Sequence, residues 1–158
     1  AMYATAAIGF IVGVGELKAV ASVARAGELA GSIRNVNPGF PAVGRTMNCI
    51  NCAIATDATL AGRPASALPG GVTSISELEK TFGGTFQSIK SMGDIQNALL
   101  KAGNGSRGII YGQVQGQRVG HVFNVVNQKG VIRFLDGQTG RAVDYVDKLS
   151  NLKLLRTN

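Results

Sequence analysis

"GRTMNCINCAIATDATLAG", residues 44–62, holds both cysteines of the chain and divides it in two. Before it runs "NVNPGFPAVGR", residues 35–45, whose prolines and glycines stop helices and which reads as a linker. The alanine and leucine content of "CAIATDATLAG" predicts a helix that Gly62 ends. Cys49 and Cys52 thus stand three residues apart at the mouth of a helix. What the two thiols do decides how the rest of the sequence is read.

Downstream, "RPASALPGGV" is loop. "SISELEKTFGG" opens with a capping box, Ser74 to Glu77, and closes on two glycines. "SMGDIQNALLKAG" repeats the device, with Ser91 and Asp94 at the start and Gly103 at the stop. From Arg107 the texture changes to short apolar, β-branched runs: "RGIIYGQV", "RVGHVFNVVN", "VIRFLDG", "RAVDYV" and "NLKLLRT". The segments "QGQ", "QKG" and "GQTG" punctuate them, predicting an antiparallel meander. Helices first and strands after give an α+β domain over residues 35–158, with helices packed on a C-terminal antiparallel sheet.

Upstream, residues 1–34 form a separate Ala-rich segment, helix-compatible after Gly15. Its apolar run "TAAIGFIVGV", Thr5 to Val14, is too short to span a bilayer. No basic stretch precedes it, so it reads as a buried or amphipathic helix rather than a signal peptide or membrane anchor. The opening "AMYATAA" suggests a fragment of a longer protein behind a tag remnant. The 158 residues carry a net charge of +7, yet the cations are scattered, densest at Lys148, Lys153 and Arg156. Without a basic run or interleaved aromatics, nucleic-acid binding is disfavoured, and an acidic protein partner suits the charge better.

Four chemistries are open to Cys49 and Cys52. A closed zinc site wants four Cys or His ligands, and the chain has two cysteines and one histidine. A thioredoxin-like pair wants a buried strand before it, where proline-rich linker stands instead. A disulfide between them would close a very small loop and stabilise little. The fourth is nucleophilic catalysis. At a helix N-terminus the free N–H groups and the macrodipole favour a thiolate at Cys52 and a developing oxyanion beside it. Such a nucleophile needs a histidine base, and the base an orienting partner.

His121 is the sole histidine. If "RVGHVFNVVN" and "VIRFLDG" form a hairpin in which Asn127 opposes Gly130, or Val126 opposes Val131, His121 falls opposite Asp136. Directly opposed side chains lie about 4.5–5.5 Å apart at Cβ and share a face. A bulge would break that register.

Cys49-Ile50-Asn51-Cys52-Ala53 resembles the papain-type pattern, in which two cysteines three apart precede a helix and the second is the nucleophile. "NPGFPAVGRTMNCINCAIATDATLAGRPASAL", "GHVFNVV" and "FLDGQTG" together resemble the papain-fold toxin domains of bacterial polymorphic toxins, often labelled toxin glutamine deamidases. The resemblance runs from about Asn37 to Gly140, and "FIVGVGELKAV" is similar to the pretoxin segments that precede such warheads. It implies a papain-like fold, and a toxin tip on a larger secreted or contact-delivered effector that modifies a protein in the cytoplasm of a competing cell. It also implies a cognate immunity protein, which the charge predicts to be acidic.

Cys52, His121 and Asp136 match the family's catalytic pattern. Cys49 is the alternative thiol, and Gln138 matches a recurrent position of open role. Papain-like enzymes also place a side-chain amide upstream of the nucleophile in the oxyanion hole. Thr46 stands six residues before Cys52, and Asn48 is the nearest amide, hence the candidate donor.

The expected reaction is attack of Cys52 on a carboxamide, preferably of a protein glutamine. Papain-like proteolysis of a backbone amide is the alternative. A non-enzymatic binding module with structural cysteines, or a membrane toxin acting through residues 5–14, would be different classes altogether. Neither a metal nor an organic cofactor is implied, and neither is stable membrane insertion.

Overall fold

The computed structural model describes residues 32–158. The helical segment expected over 1–34, with its apolar run, lies outside the described residues but for its last three positions. Three helices, α1 (Cys49–Leu60), α2 (Ser76–Phe82) and α3 (Met92–Ala102), precede most of one six-stranded sheet. Its strands are β1 (Gln87–Ser88), β2 (Arg107–Val114), β3 (His121–Gln128), β4 (Val131–Asp136), β5 (Arg141–Ala142) and β6 (Leu149–Arg156). All neighbours pair antiparallel, in the order β1-β6-β2-β3-β4-β5. The α+β class stands, but the meander holds only from β2 to β5. The chain then crosses back, and β6 pairs along β2 on its free side.

Both faces of the sheet are covered. Ile110, Phe123, Val125 and Leu154 pack with Ile95 and Leu99 of α3. Their sequence neighbours Ile109, Val122 and Leu155 pack with Ile50 and Ala53 of α1 and Leu78 of α2. Successive side chains point to opposite faces, so each strand serves two cores. That is why β3 is buried at six consecutive positions, Val122–Asn127, instead of alternating with polar residues.

The α3 start forms as predicted, Ser91 Oγ accepting from Asp94 N at 3.2 Å. The capping box at Ser74 does not form. The helix begins two residues later, Ser74 Oγ accepts from Ser76 N, and Glu79 reaches across to Phe86 N at 2.7 Å. "RAVDYV" yields only the two residues of β5 before the chain turns into a 3-10 helix, Val146–Lys148. The segment read as a linker carries no helix or strand but is built into the domain. Ile33 and Val36 join Cys52, Ala55, Leu60 and Leu135 in a third core cluster, and Asn37 is buried.

The β3–β4 hairpin turns on Lys129-Gly130, with Gln128 opposite Val131 and Asn124 opposite Leu135. Lys129 adopts φ 55° and Gly130 φ 87°, the left-handed pair that a two-residue hairpin loop requires. The pairing is shifted by two residues from the expected register. Continued along the strands, it sets Asp136 opposite Phe123, and His121 one diagonal step away. A shift of one residue would have sent the two side chains to opposite faces; a shift of two keeps them on one.

α1 is fastened along its length. Asn124 Nδ2 donates to Ala53 O at 3.0 Å. Asp57, buried near the helix end, accepts from Arg107 Nε at 3.0 Å and from Thr157 Oγ1 at 2.6 Å. Between them, Gly137 after β4 comes so close that a Cβ there would overlap Thr56 Oγ1 and lie 3.2 Å from Cys52 O. Gly137→Ala is therefore expected to destabilise the domain by about 1–3 kcal/mol, the range for overpacking. Thr56 Oγ1 is buried without a hydrogen-bond partner, so Thr56→Ala alone should be close to neutral. Adding it to Gly137→Ala should recover most of the loss in denaturant unfolding. Additive effects in that double-mutant cycle would show that the two residues do not press on one another.

Candidate active site

α1 begins at Cys49, not at Cys52. Asn48 occupies the N-cap but makes no side-chain cap, so the first N–H groups of the helix stay open. The Asn48 amide is turned away: Nδ2 donates to Asn37 Oδ1 at 2.9 Å and to Leu68 O at 3.0 Å. Its oxygen receives Gln138 Nε2 at 3.4 Å. Asn37 Nδ2 in turn donates to Arg45 O at 2.8 Å and to Gln138 O at 3.0 Å. This net of amides ties the chain before α1 to the turn after β4.

The helix mouth opens on a cleft of about 530 Å³, lined among others by Cys49, His121, Gln138 and Tyr145. His121 opens β3 and Asp136 ends β4, so their diagonal contact falls at the end of the sheet. His121 Nε2 and Asp136 Oδ2 are 2.9 Å apart. Nδ1 is the ring nitrogen not engaged by Asp136, and Cys49 lines the cleft with His121 near enough to raise the histidine's pKa. Gln138 N donates to Asp136 Oδ1 at 2.9 Å, so the carboxylate is held at both oxygens.

Burial alone would lower the pKa of His121. The hydrogen bond to Asp136 and the neighbouring Cys49 outweigh it and raise the value from 6.5 to about 9. The imidazolium is therefore the form present at neutral pH. Tyr145 lines the same cleft. Its ring meets Phe123 edge-on, and burial, with Asp136 and Asp144 adding, pushes its hydroxyl up to about 12.

Two of the residues expected at the site are placed elsewhere. Cys52 sits one turn into α1, is 1% exposed and does not line the cleft. Burial first, then the negative charge of Asp136 and Cys49, pushes its thiol up to about 12. Asn48, also 1% exposed, has both amide hydrogens engaged inside the protein and offers none to the cleft. His121, Asp136, Cys49 and Gln138 do come together. Asn37 and Tyr145 were not anticipated. Asn37 lies in the segment read as a linker, and Tyr145 lies in a run that looked like strand. Among the described residues, no group of three or more His, Cys, Asp or Glu is placed to hold a metal ion.

The raised value of His121 fixes a sign. Its pairing adds stability that is full below 6.5 and is lost as pH rises through about 9. The melting-temperature advantage of the wild type over His121→Gln should accordingly be largest below 6.5 and shrink above 9. A constant difference across that window would mean that His121 keeps its ordinary value.

No curated protein matches the chain. The family described as papain fold toxin 1, glutamine deamidase, matches residues 47–141, more than half of the chain. The matched span begins two residues before Cys49 and takes in His121, Asp136 and Gln138. With a thiol at a helix mouth, a histidine beside it and a carboxylate behind the histidine, fold and sequence agree: the chain belongs to the papain-fold glutamine deamidase toxins.

Proposed function

We propose that this domain is an interbacterial toxin that deamidates a glutamine of a target-cell protein, with Cys49 as nucleophile, His121 as acid and base, and Asp136 as the residue that orients His121. The observation that carries the reading is that His121, bonded to Asp136 at 2.9 Å, lines one cleft together with Cys49 at the start of α1. Membership of a glutamine deamidase family supports the choice of amide. Cys52, buried behind the helix, is a packing residue in this reading.

Negative charge at Cys49 faces the positive end of α1 and the imidazolium of His121. The thiolate attacks the glutamine Cδ. The oxyanion takes hydrogen bonds from the open N–H groups at the start of α1 and from the Gln138 amide. His121 gives its proton to the departing nitrogen, ammonia leaves, and a thioester remains. His121, now neutral, takes a proton from water, whose oxygen attacks the thioester carbon. Glutamate and the thiolate–imidazolium pair are released. Water is consumed and one ammonia is formed for each glutamine.

Delivery from a larger secreted or contact-dependent effector, and neutralisation in the producer by an acidic immunity protein, belong to the same proposal. The net charge of +7 supports the second part, because opposite charge speeds docking. Among the described residues, no helix is long and apolar enough to cross a membrane.

Cys49→Ala should reduce deamidation by about a thousandfold or more while the domain stays folded. Cys52→Ala should remain active and lose about 1–2 kcal/mol of stability through the void it leaves. Activity that survives in Cys49→Ala and disappears in Cys52→Ala would return the role to Cys52.

Intact-mass and peptide analysis of target-cell lysate treated with the domain tests the reaction itself. Deamidation appears as a rise of about one mass unit at a glutamine. New chain termini in place of that rise would make the enzyme a protease.

A further inference from the structure

Accepting the cleft as the substrate site, we infer that it selects a target segment in which the reacting glutamine is flanked by aliphatic side chains and a carboxylate, and that Lys153 reads the carboxylate. Four of the large hydrophobic side chains that the domain leaves exposed, Met47, Val72, Val114 and Val119, converge on the cleft. They come from three separate stretches of chain, before α1, before α2 and on either side of the β2–β3 turn, so their meeting is a property of the fold. An apolar rim around a catalytic cleft marks where a partner lies down.

The charge inside that rim has one sign. No aspartate or glutamate lines the cleft, and its cationic side chains are His121 and Lys153. His121 is engaged by Asp136. Lys153, half-buried on β6, has no carboxylate within ion-pair distance among the described residues.

The ammonium is nonetheless held in place. Lys153 pairs across the sheet with Tyr111 and lies 5.8 Å from the centre of its ring. Tyr111 packs so closely on Gly120 that a Cβ there would overlap the ring, and Gly120 is the residue before His121. One line of contacts therefore fixes an unpaired cation relative to the catalytic histidine. A cation without a counter-ion in a cleft walled by aliphatic side chains favours an acidic group on what binds there. It opposes a basic one, and that repulsion sharpens the choice.

The test uses short peptides with one central glutamine between valines, and glutamate, alanine or lysine placed in turn at each neighbouring position. Binding is read by fluorescence polarisation on Cys49→Ala, which does not depend on turnover. Ammonia release by the wild type gives KM and kcat.

At one or more positions glutamate should tighten binding about fivefold over alanine, and lysine should weaken it. Lys153→Glu should invert that order, with the change in turnover appearing in KM. Its melting curve and its binding of the alanine peptide establish that the variant is folded. Should no peptide release ammonia while the acidic ones still bind in a Lys153-dependent order, the deamidase reading fails and the selectivity stands. Equal binding of all three peptides at every position, binding of none, or an order unchanged by Lys153→Glu would overturn the inference.

Discussion

Among the described glycines, the closest approach is that of Gly137 to the second turn of α1. It brings the turn after β4 against Thr56 and the carbonyl of Cys52, at a separation that no side chain on residue 137 would allow. Asp136 stands on one side of that glycine and Gln138 on the other. The contact therefore sets how far the carboxylate and the amide lie from the helix that carries the thiols. The amides of Asn37 and Asn48 fasten the same turn at the helix mouth, through Gln138 O and Gln138 Nε2. A helix, two strand ends and an irregular segment meet there, and each is held by at least two of the others.

Burial then separates two cysteines that the sequence presents as a pair. A step of three residues on a helix is about 300° around the axis and 4.5 Å along it. Cys49 stays at the open mouth beside His121, while Cys52 enters the cluster of Ile33, Val36, Ala55 and Leu135. A thiol pushed up to about 12 is a poor attacking group at neutral pH, and a thiol beside an imidazolium is a good one. The proposed choice of Cys49 over Cys52 therefore follows from where the helix begins.

That origin explains how much was legible in the sequence. The strands announced themselves because β-branched runs between glycine-bearing turns have few other readings, and β2 falls at its expected bounds. The pairing of His121 with Asp136 survived a register two residues out because side-chain direction in a strand repeats every two residues. Helices are less forgiving. Three residues of uncertainty in the start of α1 put Cys52 at the helix mouth where Cys49 stands, and Asn48 was read as facing the cleft when its amide is bound to Asn37 and Leu68. The segment before α1 was opaque for another reason. Val36 and Asn37 are buried, Asn37 with a bond to Gln138 O 101 positions away, and proline and glycine around them look the same in a spacer as in a packed loop.

The polar groups beneath α1 show what this arrangement requires. Among the described residues, the two buried side-chain atoms without a hydrogen-bond partner are Thr56 Oγ1 and Asn124 Oδ1. Both lie between α1 and the strands that carry His121 and Asp136. Thr56 faces Gly137, and Asn124 spends its amide hydrogen on Ala53 O in the middle of the helix. A leucine at 124 would bury as well and leave no oxygen unsatisfied, but it could not bond the helix at one position along its axis. Apolar contacts between α1 and β3 resist separation and tolerate sliding; a hydrogen bond from Asn124 to one carbonyl resists sliding. Sliding by one residue, about 1.5 Å, would move Cys49 by that much relative to His121. The unsatisfied oxygen is thus coupled to the bond that keeps the helix in register with the strand that carries His121.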